Sequence, residues 1–145
     1  MKIYLAADHA GFEMKESVKK YLEVKGHDVT DFGAHEFNDS DDYPDYIRPC
    51  AEAVAADISS LGFIFGGSGQ GEDMVADKIV GTRSAVYYGG PLEIVKLARE
   101  HNNANILSIG ARFLEDDDAK KAIDLFMGTE FSGEERHIRR INKID

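Results

Sequence analysis

The feature that most constrains the fold is the regular alternation of short apolar runs with segments of helical periodicity. A continuous apolar run such as Leu61 to Phe65 is typical of a strand buried on both faces. The segments between the runs place apolar residues on one helical face. In residues 12–25, for example, an i, i+4, i+7, i+8 spacing begins at Met14. This alternation predicts a parallel sheet covered by helices on both faces.

The predicted elements are five strands and the helices between them. Strands are predicted over residues 2–7, 27–32, 61–65, 83–88 and 105–109, and helices over 12–25, 44–57, 71–78, 92–101 and 118–127, with a short helix within 133–144. This pattern predicts an α/β fold with one doubly wound, Rossmann-like or flavodoxin-like parallel sheet of order 2-1-3-4-5 and a C-terminal helical tail. We expect a single domain over residues 1–145, with ligands bound beyond the carboxyl ends of the strands.

Charge and composition exclude several classes of protein. The net charge of −10 argues against a general nucleic-acid binder, because phosphate contacts need a basic surface. Cys50 is the one cysteine, so no internal disulfide can form, and we expect it to be buried in a helix. No apolar stretch approaches the roughly 20 residues that span a bilayer, and the N-terminus lacks a signal-peptide pattern. A cytoplasmic protein without membrane association is expected.

The segment Gly66 to Glu72, which reads Gly-Gly-Ser-Gly-Gln-Gly-Glu, lies between a predicted strand and a predicted helix. Its glycines allow a tight turn and close approach to a ligand, and the amides at a helix start bind anions. Glu72 would repel a bound phosphate. It is either a carboxylate that stabilises the helix dipole or a general base. Helix-start amides lower the pKa of such a glutamate and burial raises it, and the sequence leaves that balance open.

Two nucleotide-binding motifs are absent. A P-loop requires Lys-Ser or Lys-Thr after its last glycine, whereas Glu72-Asp73 follows Gly71. A dinucleotide fingerprint belongs after the first strand, where this chain has Asp8-His9-Ala10-Gly11. No spacing of His, Cys, Asp or Glu predicts a metal site, and the acidic residues 39–42 are interpreted as a solvated loop. ATP, NAD and metal ions are therefore not implied.

Arginines and histidines offer further candidates for anion binding and proton transfer. On a helix, Arg136 and Arg140 would share one face, either as a solvated surface or as an anion site. Arg112 follows the fifth strand at the expected ligand edge. His9 adjoins a strand end and His101 ends a helix, and for each a structural and a catalytic role stay open. For His137, a surface role is expected.

Six segments together resemble the ribose-5-phosphate isomerase B family, which also includes galactose-6-phosphate isomerase subunits. They are Asp8-His9-Ala10-Gly11, Asp42-Tyr43-Pro44, Gly66 to Glu72, Arg99-Glu100-His101-Asn102, Gly110-Ala111-Arg112 and Arg136-His137-Ile138-Arg139-Arg140. They occur in family order and span nearly the whole chain. One small departure is Asp77-Lys78, where Asn-Lys is usual.

The resemblance implies an aldose–ketose isomerase. Many members carry a cysteine base at the position of Gly66, whereas this chain is similar to the subgroup in which a glutamate replaces it. Glu72 is then the expected base, moving a proton between C2 and C1 through an ene-diolate. His101 is the expected acid for ring opening. Loop amides would stabilise the oxyanion, with Ser68 hydrogen-bonding the same oxygens.

The resemblance also implies which residues bind the substrate and how two chains form the site. The substrate-binding residues would be Asp8, His9, Tyr43, Gly67, Gly69, Gly71, Asn102, Arg112, Arg136 and Arg140, of which His9 and the three arginines would hold the phosphate. No metal or organic cofactor is expected. The partner would be a second copy of the chain, in a homodimer with a shared active site, with His101 and the tail arginines coming from opposite sides of the interface. A tetramer is left open.

The predicted reaction is the interconversion of ribose 5-phosphate and ribulose 5-phosphate. Two alternatives stay open from the sequence. One is an isomerase of a six-carbon sugar 6-phosphate, such as galactose or allose 6-phosphate. The other is a non-catalytic sugar-phosphate-binding protein, in which a carboxylate beside the oxyanion amides would serve no purpose.

Overall fold

Five parallel strands form one sheet in the computed structural model, which describes residues 1–144. The strands are β1 (Lys2–Ala7), β2 (Asp28–Asp31), β3 (Leu61–Gly66), β4 (Ser84–Tyr87) and β5 (Ile106–Gly110). The helices are α1 (Phe12–Val24), α2 (Pro44–Ala56), α3 (Gln70–Ala76), α4 (Glu93–Asn102), α5 (Asp116–Gly128) and α6 (Glu135–Ile141), with a short 3₁₀ turn at Ala111–Phe113. The predicted α/β class, strand count and helical tail are confirmed.

The predicted order of the last two strands is wrong. The sheet has the order β2-β1-β3-β5-β4, so β5 pairs with β3 and β4 lies at the edge. Every residue of β5 is buried, whereas only Tyr87 of β4 is. The more apolar strand therefore takes the central position, because its burial on both faces removes more apolar surface from water.

Two apolar layers hold the helices against the sheet. One layer joins the sheet to α1, α4 and α5, and includes the edge-to-face contact of Phe63 with Phe126. The other joins it to α2 and α3 and contains Cys50, which is fully buried as expected. Burial raises the pKa of the Cys50 thiol well above its ordinary value. Among residues 1–144, no helix has the length and apolar character needed to cross a membrane.

A buried ion pair ties α1 to β2. The side chain of Lys15 is fully buried, and its Nζ donates to Asp31 Oδ2 at 2.6 Å and to Glu16 Oε1 at 2.8 Å. A buried charge of this kind is tolerated only with such close partners. The pair fixes α1 next to the sheet, and the loop that precedes α1 contributes to the candidate site.

Candidate active site

Three loops meet at the carboxyl edge of the sheet, as expected from the sequence. Gly66 at the end of β3 pairs with Gly110 at the end of β5, and the backbone N–H of Arg112 donates to Gly67 O at 3.0 Å. The loop after β1 joins them, because a Cβ on Gly11 would overlap the backbone of Phe65. The candidate site thus lies where β1 and β3 adjoin, at the point where the winding of the sheet reverses.

The glycine loop is held in shape by β5. Gly69 has φ +77°, a conformation that favours glycine, and its carbonyl accepts a 2.6 Å hydrogen bond from Ser108 Oγ. A Cβ on Gly110 would lie 2.7 Å from Ser68 O, so the two backbones touch. The exposed Ser68 accepts a hydrogen bond from the N–H of Gln70 at 3.3 Å. The contact between the backbones of Gly110 and Ser68 leaves the loop little freedom to change shape.

The carboxyl group of Glu72 lies directly against Gly66. A Cβ at residue 66 would overlap the carboxyl atoms, so only glycine leaves room for this side chain. Glu72 is 4% exposed even though it lies in the first turn of α3. The carboxyl group thus occupies the space where a side chain at position 66 would lie.

Burial decides the balance that the sequence left open for Glu72. Removal from water raises the pKa of its carboxyl group above the ordinary value, and the nearby charge of Asp8 raises it further. A hydrogen bond from the backbone N–H of Glu72 lowers this pKa, but its effect is smaller than that of burial. A glutamate with a raised pKa is suited to accept and return a proton near neutral pH.

Asp8 and Tyr43 flank the glycine loop. Asp8 is buried, and its Oδ1 accepts hydrogen bonds from the N–H groups of Ala10 at 3.0 Å and Gly11 at 3.3 Å. The ring of Tyr43 lies on Gly71, where a Cβ would be 2.7 Å from its Cζ. Both side chains therefore lie beside the loop that carries Glu72.

A cationic pair lies at the other side of the loop. The guanidinium of Arg112 lies over Gly67, where a Cβ would be 3.1 Å from Nη1, and it is close enough to His9 to lower that ring's pKa. His9 nevertheless has a raised pKa, chiefly because its Nδ1 hydrogen-bonds Asp41 Oδ1 at 2.7 Å. Two cationic groups in an acidic protein can hold a phosphate.

Asp41 is a site residue that sequence reasoning missed. The interpretation of residues 39–42 as a solvated loop is wrong for this residue, because its side chain is only 3% exposed. Nothing in the acidic run distinguishes Asp41 from its neighbours. The one available signal is its position just before the Asp42-Tyr43-Pro44 segment.

Asp8, His9 and Asp41 bring donor atoms within 4.8 Å of one another, the arrangement that a metal site would require. Hydrogen bonds within the protein account for their closeness. Asp8 Oδ1 accepts two backbone N–H groups, and Asp41 Oδ1 is bonded to His9. We assign no metal to this cluster.

Four predicted site residues, His101, Asn102, Arg136 and Arg140, do not join Glu72 within one chain. The exposed Asn102 lines a cavity with Ser84, the first residue of β4. Ser84 pairs with Ile106, four residues before Gly110, or about 13 Å along the strand. His101 lies next to Asn102 in the last turn of α4, so this group is at the amino edge of the sheet.

The tail helix lies with His101 on the same chain. The rings of His101 and His137 stack at 4.4 Å with an interplanar angle of 14°. The expectation that His101 and the tail arginines come from opposite sides of an interface is therefore wrong. His137 is also buried rather than on the surface, whereas Arg136 and Arg140 are exposed. One chain thus presents His101, Arg136 and Arg140 away from its own Glu72.

Comparison with known proteins agrees with this geometry. The family model for Ribose/Galactose Isomerase matches residues 3–144. Ribose-5-phosphate isomerase B of Mycobacterium leprae is 42% identical over 142 residues, which cover 98% of this chain and 86% of the relative.

Solved structures show the same likeness. A ribose 5-phosphate isomerase from Thermotoga maritima is 40% identical with a TM-score of 0.92, covering 99% of this chain and 97% of that chain. Ribose-5-phosphate isomerase B from Mycoplasma genitalium with bound ribulose-5-phosphate is 36% identical with a TM-score of 0.93, covering 99% and 93%. On sequence and fold, this chain belongs to the ribose/galactose isomerase family.

Proposed function

We propose that this protein interconverts ribose 5-phosphate and ribulose 5-phosphate, with Glu72 as the general base. The observation that carries the proposal is a buried glutamate with a raised pKa, lying against Gly66 in a loop of backbone N–H donors. A relative that is 36% identical was solved with bound ribulose-5-phosphate, which supports the five-carbon substrate.

The chemistry requires one carboxylate that removes and returns a proton. Glu72 takes the proton from C2 of the open-chain aldose and the ene-diolate forms with its negative charge on O1. A proton then passes from O2 to O1, and the protonated Glu72 delivers its proton to C1, which leaves C2 as the ketone. Because its pKa is raised, Glu72 is suited both to accept the proton and to return it near neutral pH. N–H groups of the glycine loop stabilise the oxyanion, at about 3 kcal/mol for each well-placed donor. Asp8 and Tyr43 are placed to hold sugar hydroxyls.

The phosphate is held by cations from two chains. His9 and Arg112 lie beside the glycine loop and supply one part of its binding site. We assign the other part to Arg136 and Arg140 of a second copy, together with His101 as the acid that opens the sugar ring. The separation of this group from Glu72 along the sheet supports a homodimer in which each chain completes the other's site.

The substrate assignment predicts a preference for five-carbon sugar phosphates. We expect kcat/KM for ribose 5-phosphate to exceed that for allose 6-phosphate and galactose 6-phosphate by at least about tenfold. The reason is that one more carbon would have to fit between the phosphate-binding residues and the glycine loop. Coupled assays with the three sugars measure this ratio. A reversed ratio would assign the protein to six-carbon substrates, and absence of turnover with all three would leave a binding protein.

The role of Glu72 predicts that Glu72→Gln separates binding from turnover. The amide has nearly the same shape but cannot accept the proton, so kcat should fall about 10³-fold while the Kd for ribose 5-phosphate changes little. Rapid-quench assays, calorimetry and solvent-deuterium incorporation measure these effects. Glu52→Gln on the exposed face of α2 is the matched control. Full activity of Glu72→Gln would eliminate Glu72 as the base.

The contact between Gly66 and Glu72 predicts a large effect from a single methyl group. In Gly66→Ala the new Cβ overlaps the carboxyl group, so the base must move. We expect kcat to fall at least about 100-fold and the free energy of unfolding to fall by about 1–3 kcal/mol. Gly128→Ala is the control, because nothing lies within 4 Å of its Cβ position. Activity and urea unfolding of both variants check this, and a fully active Gly66→Ala would contradict it.

The shared site predicts recovery of activity when two inactive variants are mixed. Glu72→Gln and Arg140→Ala should each be nearly inactive alone. After subunit exchange, half of the dimers are mixed and each has one intact site, which restores about a quarter of the wild-type activity. Recovery is measured after refolding equimolar mixtures, against each variant refolded alone. No recovery despite demonstrated exchange would place both residues in one chain's site.

A further inference from the structure

Asp41 makes two hydrogen bonds to the same residue, His9, 32 positions away in the sequence. Its Oδ1 accepts from the backbone N–H of His9 at 3.1 Å and bonds ring Nδ1 at 2.7 Å. The carboxylate oxygen fixes both the backbone and the ring. This double contact restrains the rotation of the imidazole more than a single side-chain hydrogen bond would.

The environment of Asp41 shows that the contact is built into the fold. Its side chain is 3% exposed, and Oδ2 makes no full hydrogen bond within residues 1–144, although the Tyr46 hydroxyl is near enough for the Asp41 carboxylate to raise its pKa. A buried carboxylate with one unsatisfied oxygen costs stability. A loop that only connects β2 to α2 would not need a buried carboxylate. The burial of Asp41 therefore indicates that its role is to orient His9, the residue it contacts.

The bond to Asp41 determines which nitrogen of His9 is available. With Nδ1–H donated to Asp41, Nε2 lies on the far side of the ring and has no protein partner in the described part of the chain. The His9 ring is about a quarter exposed, at 27%. Nε2 is therefore the ring atom that can reach a ligand.

Three charged groups face His9. Asp8 Oδ2 is 3.9 Å from its Nδ1, Asp41 is in direct contact, and the guanidinium of Arg112 is near enough to act on its charge. Burial and the charge of Arg112 lower the pKa of His9, while Asp41 and Asp8 raise it and prevail. Asp41 thus opposes the effect of the neighbouring Arg112 and favours the protonated form of His9.

We propose that Asp41 is a positioning residue, which holds His9 as an imidazolium with Nε2–H presented to the phosphate group of the substrate. Asp41 itself touches no substrate. The identity of the ligand rests on the proposed function, whereas the effect of Asp41 on His9 does not. Within one chain, His9 and Arg112 form the anion subsite, and Asp41 acts on it only through His9.

The first test is the titration of His9 itself in Asp41→Asn. The amide keeps the shape and can still accept the Nδ1–H hydrogen bond, but it removes the charge. Burial and Arg112 then dominate, so His9 should lose its proton about one pH unit lower than in the wild-type protein. NMR titration of the imidazole, assigned with His9→Asn, measures this. Asp39→Asn, exposed in the same loop, is the matched control and should leave the titration unchanged.

The second test is ligand binding as a function of pH. The imidazolium binds phosphate below the pKa of His9 and loses that contribution as pH rises through it. In Asp41→Asn this loss occurs at lower pH, so the Kd for inorganic phosphate and the KM for ribose 5-phosphate should rise about tenfold at pH 7.5 and less at pH 6. The value of kcat should change less than about twofold.

A double-mutant cycle separates action through His9 from a merely structural role. In the His9→Asn background, Asp41→Asn should cause no further rise in KM, because the group it acts on is gone. Additive effects of the two substitutions, or an unchanged titration of His9 in Asp41→Asn, overturn the proposal. The NMR titration needs no turnover, so inactivity of the wild-type protein toward ribose 5-phosphate would overturn the proposed function alone.

Discussion

The close approach of backbone to side chain at the end of β3 is the constraint on which the site depends. Gly66 leaves a space one side chain in size, and the carboxyl group of Glu72 fills it. Filling that space removes the carboxylate from water, which sets its pKa. Gly110 and Gly69 allow the neighbouring backbones to touch, so the loop that carries Glu72 is fixed by the sheet. The position and the acidity of the Glu72 carboxyl group thus have one common origin.

Charge is distributed in a way that one chain cannot use alone. The carboxylates Glu72 and Asp8 lie at the carboxyl edge of the sheet with His9 and Arg112, whereas the tail arginines lie with His101 at the other edge. Concentrating all these cations around one loop would lower the pKa of the base. In the proposed homodimer a second copy supplies some of these cations, so formation of the phosphate site depends on association of the two chains.

The sequence predicted the elements that depend on local pattern. Apolar runs and helical periodicity predict the five strands and the six α-helices, and they place three polar loops at the carboxyl edge of the sheet. It did not predict that β5 rather than β4 is central, because strand order depends on the total burial of each strand within the whole sheet. It also missed Asp41, since burial of one aspartate in an acidic loop depends on how that loop folds back onto His9. The stacking of His101 on His137 is a tertiary contact of the same kind.

The burial of Cys50 has a consequence for how this protein withstands oxidative conditions. The only thiol of the chain is fully buried among apolar residues, and its raised pKa keeps it protonated. Peroxides and alkylating agents react with thiolates rather than with protonated thiols, so the buried Cys50 offers them little to attack. The candidate site at the carboxyl edge of the sheet holds no thiol, because Cys50 lies in α2. Under the proposed mechanism, in which Glu72 is the base, such reagents would leave the proton-transferring group intact.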